Sequence, residues 1–498
     1  MDTPIFSLRP KNNRARIITR RRENESFASP EKDELIIRAN SHQFPQEICV
    51  IATMGKGKDA DIFTPGYRMA DPIHCAFVIN WKTGIILVED RSGGSTSLYD
   101  NSKLVYSPLN ADRGYNRVVV MDNKNSYLVL GKSKATQVIF KIVFSLGLDE
   151  TLKIIQRRIS GASADVQRDF LWTFHGQLPQ KEQKKIHHYT LVKLGSGGFG
   201  TVWKSVDIYS GDIVAVKEFV PWWTSDSLDR EIDALSRFQH PFIIPLYGWY
   251  ANPRSGSKGR YEMFMPVMQG TLDDLMLRTH SPKETIDIGN AVLLQMLSAL
   301  DYLACMDFIH RDVKPENILF ETDHLGNYVF KLTDFGVSNT IALAQSEVGT
   351  ETYMAPEMRS DLPQRPKADV WSLFVTMLWV LDVKQFRSLD FKSHLEVQGF
   401  VLQNAILNSD IEYMRDMGIL NRAVRASAAQ MLAKYGRQDL IALGRTERAP
   451  DSNRFNAWLW RIWDGRDRWG NYMKRITTER VLRLGLLPPP EPGASPAW

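Results

Sequence analysis

Apolar positions along this chain come in two textures. Between about 34 and 146 they form short runs: 75–80 (CAFVIN), 85–89 (IILVE), 118–121 (VVVM), 127–130 (YLVL) and 138–144 (VIFKIVF), with Gly, Asn, Asp and Ser between them. Runs of this length rich in β-branched residues predict strands, and 81–84 (WKTG) predicts a hairpin joining the first two. Many short strands with turn signals predict an all-β sandwich. Residues 147–187 change character: TLKIIQRRI and DVQRDFLWTFHGQL have helical patterns and QKEQKK is polar, which predicts a linker with helical pieces. Strands plus one helix are expected from 188 to about 245, and long helical patterns dominate from about 284 to 433. That order predicts a mixed lobe followed by an α-rich lobe. Residues 1–33 are polar, with Arg14, Arg16, Arg20, Arg21 and Arg22 clustered, and read as a disordered basic arm. Residues 434–498 are rich in Arg and Trp and close on LPPPEPGASPAW, which reads as a C-terminal extension with a flexible end. The expected class is α+β multidomain.

Composition narrows the function. A chain of 498 residues, 43% apolar and 24% charged, has room for about three ordinary globular domains. The net charge of +5 is small for this length, which argues against bulk attraction to nucleic acid. Cys49, Cys75 and Cys305 are odd in number and far apart, so neither a disulfide framework nor a cysteine-rich zinc site is expected. The apolar run 370–381 is too short to span a bilayer, and MDTPIFSLRPKNN lacks an apolar core of the signal-peptide kind. An intracellular protein is the expectation.

The chemistry lies in 194–357. Leu194-Gly195-Ser196-Gly197-Gly198-Phe199-Gly200-Thr201-Val202 contains G-x-G-x-x-G between two strand-like runs rather than before a helix. Glycines there let a backbone turn approach phosphate oxygens, and the setting argues against a dinucleotide fold. Val214-Ala215-Val216-Lys217 puts a lysine on a strand where it can hold phosphate as a point charge. Glu231 follows on a helical pattern and is placed to pair with that lysine. His310-Arg311-Asp312-Val313-Lys314-Pro315-Glu316-Asn317 sets an Asp and an Asn five residues apart, and Asp334-Phe335-Gly336 adds a second Asp 22 residues after Asp312. Phosphoryl transfer needs a carboxylate to accept a hydroxyl proton, oxygen ligands for magnesium and a lysine on the phosphates. Gly349-Thr350-Glu351-Thr352-Tyr353-Met354-Ala355-Pro356-Glu357 and Asp369-Val370-Trp371-Ser372 complete the series.

With these segments in order, 188–433 resembles a eukaryotic protein kinase domain. The resemblance implies a two-lobed fold binding ATP and Mg²⁺ in its cleft. Leu194, Gly195, Ser196, Gly197, Gly198, Phe199, Gly200, Val202 and Ala215 would surround the nucleotide. Lys217 would hold its α- and β-phosphates and pair with Glu231. Asp312 would be the catalytic base, Lys314 would neutralise the moving phosphoryl group, and Asn317 and Asp334 would bind Mg²⁺. Glu357 would pair with Arg425, while Leu235, His310 and Phe335 fit the family's apolar stack. Lys314 follows the serine/threonine-kinase pattern. Glu316 matches an acidic residue that reads a basic substrate side chain, whereas Thr271 replaces another such acidic position. Arg311 implies activation by phosphorylation at Ser346 or Thr340, with Thr350 a structural contact. Phe374 stands where the family has glycine. The alternative is a catalytically inactive kinase-fold scaffold, which the intact Lys217, Glu231, Asp312, Asn317 and Asp334 set argues against.

The segment 34–146 resembles a forkhead-associated (FHA) domain through Gly55, Asp61, His74 and Thr96. That family is a β-sandwich that reads phosphothreonine peptides. Its phosphate-gripping arginine falls at Lys56, its serine at Asp71 and its asparagine at Gly94, so the phosphate site is degenerate or uses Lys58 or Arg68 instead. The pairing of the two domains is similar to checkpoint-type kinases. It implies protein substrates, a phosphopeptide or protein partner, no membrane, no nucleic acid, and a location in the nucleus or cytoplasm.

Overall fold

The computed structural model describes residues 3–39, 41–42, 49–65, 72–80, 82–100, 103–106, 116–121, 124, 126–134, 136–160, 186–197, 200–219, 225–252, 260–279, 281–323, 325–336, 339–340, 351–359, 364–451, 455 and 457–458. They fall into two compact units: Met1–Pro221 with Tyr247–Val267, and Trp222–Leu246 with Met268–Trp498.

The first unit opens with β1 (Pro4–Pro10), β2 (Leu35–Arg38), β3 (Val50–Gly55), β4 (Ile62–Phe63), β5 (Ile73–Ile79), β6 (Ile86–Asp90), β7 (Thr96–Asp100), β8 (Lys103–Tyr106), β9 (Arg117–Val120), β10 (Tyr127–Leu130) and β11 (Val138–Phe144). They form two sheets, in the orders β2-β1-β11-β10-β7-β8 and β4-β3-β5-β6-β9. Phe6, Leu8 and Phe140 of one sheet share a buried core with Phe77, Val88 and Val118 of the other, and the Phe6 and Phe77 rings lie 4.9 Å apart. The all-β sandwich expected from the apolar runs is present, and β5–β6 is the expected hairpin.

The disordered arm is corrected. β1 pairs with both β11 and β2, burying Ile5, Phe6 and Leu8 completely. α1 (Asn13–Thr19) starts at Asn12, whose Oδ1 accepts from the Ala15 N–H at 2.9 Å. Two of the arginines that suggested solvation meet a carboxylate instead: Arg16 and Arg20 contact Asp33 at 3.9 and 3.2 Å. After the sandwich, α2 (Leu148–Ser160) is one of the expected helical pieces of the linker, and 161–185 lie outside the described residues. The unit ends in a sheet of order β12-β13-β14-β16-β15, made of β12 (His188–Gly197), β13 (Gly200–Asp207), β14 (Ile213–Phe219), β15 (Gly248–Asn252) and β16 (Arg260–Met265).

The second unit is mainly helical: α3 (Ser225–Arg237), α4 (Leu272–Arg278), α5 (Pro282–Cys305), α6 (Lys367–Val380), α7 (His394–Leu407) and α8 (Ala428–Lys434). α5 begins at Ser281, which caps the Glu284 N–H, with Pro282 in its first turn where a missing N–H costs nothing. It buries Val292, Leu293, Met296, Leu297 and Leu300. α6 is buried almost all round. Phe374, in place of the family's glycine, is fully buried, and its space comes from Gly418, where a Cβ would meet Phe374 Cε1 at 2.8 Å. Gly418→Ala is therefore expected to destabilise this unit by about 1–3 kcal/mol through overpacking. Denaturant unfolding should record that loss, and Phe374→Leu in the same chain should restore part of it.

The first residues of the C-terminal extension are folded. Asp301 on α5 accepts from Arg445 through both carboxylate oxygens at 2.7 Å and from the Ala442 N–H at 2.9 Å. Ser298 Oγ donates to Leu440 O at 2.8 Å and lies 3.3 Å from His240 Nε2. Trp458 is buried with Phe455, over which Arg415 stacks at 4.5 Å, while Trp460, Trp463 and the Pro-rich end lie outside the described residues. Burial, aided by Lys331, lowers the His240 imidazole from 6.5 to about 4. A depressed folded value favours the neutral ring, so its stabilisation is complete above 6.5 and is lost as pH falls toward 4. The unfolding midpoint is expected to fall less steeply over that window in His240→Gln than in the parent chain.

Candidate active site

The motifs divide between the two units. In the first, β12 and β13 form an antiparallel hairpin in which Gly197 faces Gly200, so the glycine-rich stretch is a hairpin tip. A Cβ at Gly200 would meet Glu218 O at 2.1 Å, so only glycine lets β13 lie this close to β14. A Cβ at Gly195 would meet nothing within 4 Å, so chain packing is not what demands glycine there. Gly198 and Phe199 lie outside the described residues. Ala215 and Lys217 are buried on β14, Val202 is half-buried on β13, and Leu194 and Ser196 are exposed on β12. The Lys217 ammonium lies 5.1 Å from the centroid of the Phe219 ring.

In the second unit Asp312, Lys314 and Asn317 come together. Lys314 Nζ lies 2.7 Å from Asp312 Oδ2, and Asn317 Nδ2 donates to the same oxygen and to Asp312 O, each at 2.8 Å. These donors fix the carboxylate rotamer. With Nδ2 spent on Asp312, Asn317 turns its carbonyl oxygen away from that residue. A short turn, Pro315–Asn317, and the following strand Ile318–Thr322 carry this loop, with the Thr333 N–H donating to Asn317 O at 3.0 Å.

Asp369 holds the loop from behind. Its fully buried carboxylate accepts from the His310 and Arg311 N–H groups at 2.8 Å each. Burial pushes the Asp369 carboxyl up, opposed by His310 and Arg311. Those bonds help to hold Arg311 at φ 75, a left-handed conformation that non-glycine residues rarely adopt; Asp334, at φ 63, is another such position. Phe335 is fully buried, with its ring 4.8 Å from His310 and 5.4 Å from Phe238. Glu231 and Leu235 are buried on α3. The expected Glu357–Arg425 pair is bidentate, at 2.6 and 3.0 Å.

Sequence reasoning gave Asp369 no role. Its signal was the lone charged residue in the mainly apolar 368–380 stretch. Thr271, noted for replacing an acid, caps α4: its hydroxyl accepts from the Asp274 N–H while the Asp274 carboxylate accepts from the Thr271 N–H. Glu316 is exposed. Burial raises the Tyr353 hydroxyl above its ordinary range, reinforced by the charges of Glu316, Asp273 and Asp312. Ser346 and Thr350 lie outside the described residues.

A second group of motif residues occupies one end of the sandwich. Asp90 organises the turn after β6: its Oδ1 accepts from the Ser92 and Thr96 hydroxyls at 2.6 Å, and its Oδ2 from the Gly94 N–H at 2.8 Å. His74 is buried, and its carbonyl accepts from the Arg91 N–H at 3.0 Å. Asp61 Oδ2 accepts from the Thr53 N–H and hydroxyl and lies 2.7 Å from His42 Nδ1. Lys56 and Lys58 are exposed after β3, while Arg68 and Asp71 lie outside the described residues.

A glycine hairpin and a strand lysine in one unit, and an Asp–Lys–Asn loop and an Asp-Phe-Gly turn in the other, are the motif types of the protein kinase pattern. Residues 189–433 match the protein kinase domain family. The chain is similar to serine/threonine-protein kinase cst-1 of Caenorhabditis elegans, 31% identical over 194 residues, covering 37% of this chain and 36% of that protein. It is likewise 31% identical over 190 residues to cst-1 of Caenorhabditis briggsae, covering 37% of each. The chain thus spans little more than a third of the length of these curated relatives.

Proposed function

We propose that this chain is an ATP-dependent protein serine/threonine kinase whose base is Asp312. The observation carrying that reading is the Asp312 carboxylate held by Lys314 and Asn317. Asp312 accepts the proton of a substrate hydroxyl as its oxygen forms the bond to the γ-phosphorus; the bond from γ-phosphorus to the bridging oxygen breaks, and ADP leaves. Lys314 stabilises charge on the transferring group, and Lys217 grips the α- and β-phosphates. The oxygen of Asn317 and the carboxylate of Asp334 suit a hard cation such as Mg²⁺, which when bound neutralises phosphate charge. Lysine two residues after Asp312 and the likeness to the two serine/threonine kinases support Ser and Thr as acceptors. A degenerate peptide array with labelled ATP tests this: incorporation restricted to Ser and Thr peptides is expected, and none at all would favour the scaffold reading.

The N-terminal sandwich is proposed to be an FHA-like interaction module with an altered phosphate site. Support comes from the Asp90-centred turn and from His74, which bring the motif positions to one end of the sandwich. Titrating the chain with phosphothreonine and unphosphorylated peptides tests it. Binding that depends on phosphate and is lost in Lys56→Glu supports phosphate reading, whereas equal binding of both peptides rejects it.

A further inference from the structure

β6 and β9 are apolar on both faces, which an antiparallel sandwich exposed to water on its outer side does not require. Ile86, Val88, Val118 and Val120 point into the sandwich core. Their alternates, Leu87 and Val119, form a second buried cluster with Ile85 and with Val206 of β13, and Tyr189, Leu191 and Ile213 pack against it. The outer face of this sheet is therefore covered by the β12–β14 strands. Polar bonds fix the register. The Val119 N–H donates to Ile208 O at 2.7 Å. Asn80 Nδ2 donates to Ser210 O at 3.0 Å and Asp212 Oδ1 at 2.9 Å, and Thr83 Oγ donates to Gly211 O at 2.8 Å. Gly211 is left-handed at φ 73, and a Cβ there would press on Asn80 and Leu87 at 3.2 Å.

We propose that the sandwich is a resident third layer of the nucleotide-binding sheet, bound through the 80–87 hairpin and β9 to the 206–213 turn, rather than a module tethered only by its linker. The docked end and the Asp90-centred end are opposite ends of the same strands. β5 runs from His74 beside that turn to Ile79 beside Asn80, about 17 Å at 3.3 Å per residue. A partner can reach the loops at 55–58 and 90–96 without displacing the sheet. This inference is independent of the catalytic and phosphate-reading proposals.

The test places a specific protease site within 161–185 of the full chain, cuts it, and follows the halves by gel filtration on dilution to low micromolar concentration. The halves are expected to co-elute. Asn80→Asp keeps the acceptor that caps the Lys82 and Thr83 N–H groups but sets a carboxylate against Asp212. It is expected to weaken association at least tenfold, with part of the loss recovered when Asp212→Asn is added. Asp212→Ala attacks the same contact from the sheet side and should weaken it less. The thermal midpoint of each uncut variant verifies folding. Halves of the parent chain that separate, or an Asn80→Asp variant that associates as the parent does, would overturn the proposal.

Discussion

Asp312→Asn is expected to lower the rate of phosphate incorporation by about 10²–10⁴-fold, the usual worth of a positioned general base. The change is nearly isosteric, and an amide oxygen at the same place still accepts from Lys314 and Asn317, both within 2.8 Å of the carboxylate. Fold and nucleotide affinity should therefore persist while proton acceptance is lost. Initial rates with a peptide acceptor, set beside nucleotide binding and the thermal midpoint, separate these effects. A variant with the parent's rate would remove Asp312 from the chemistry.

The largest stability effect is expected at Arg425, whose side chain is fully buried. Its guanidinium serves both oxygens of Glu357 and donates to the carbonyls of Ile419, Lys367 and Leu420. It also lies 5.1 Å from the centroid of the Trp371 ring. Arg425→Leu takes the guanidinium from a Glu357 carboxylate that is only 6% exposed, and breaking a buried pair from one side costs about 3–5 kcal/mol. The double variant Arg425→Leu with Glu357→Leu removes the buried carboxylate as well and should unfold at a higher denaturant concentration than the single one. Equal midpoints for parent and single variant would show that the pair contributes nothing.

The Asp312 loop was legible because its residues are local. Asp312, Lys314 and Asn317 lie within six residues, and the loop between two short strands suffices to converge them. The glycine hairpin was legible for the same reason. The N-terminal strands were not: β1 finds its partner more than 130 residues away in β11, and no local pattern announces such a pairing. The basic run 14–22 misled because a sequence displays its charges but not their partners, and Asp33 meets Arg16 and Arg20 only once the chain folds back. Phe374 read as a bare departure from the family, since the glycine that accommodates it lies 44 positions further on. Asp369 was visible as a residue but not as a support, because its two hydrogen bonds are to backbone 58 and 59 positions earlier.

The Asp301–Arg445 clasp separates two kinds of border. Family likeness stops at 433, yet a carboxylate inside that stretch leans on a guanidinium twelve positions beyond it. Ser298, also inside, spends its hydroxyl on a carbonyl outside. Ending the polypeptide where the likeness ends would take these partners from both groups on α5. Folding therefore draws its own frontier past Arg445, in a segment whose composition alone suggests a dispensable tail.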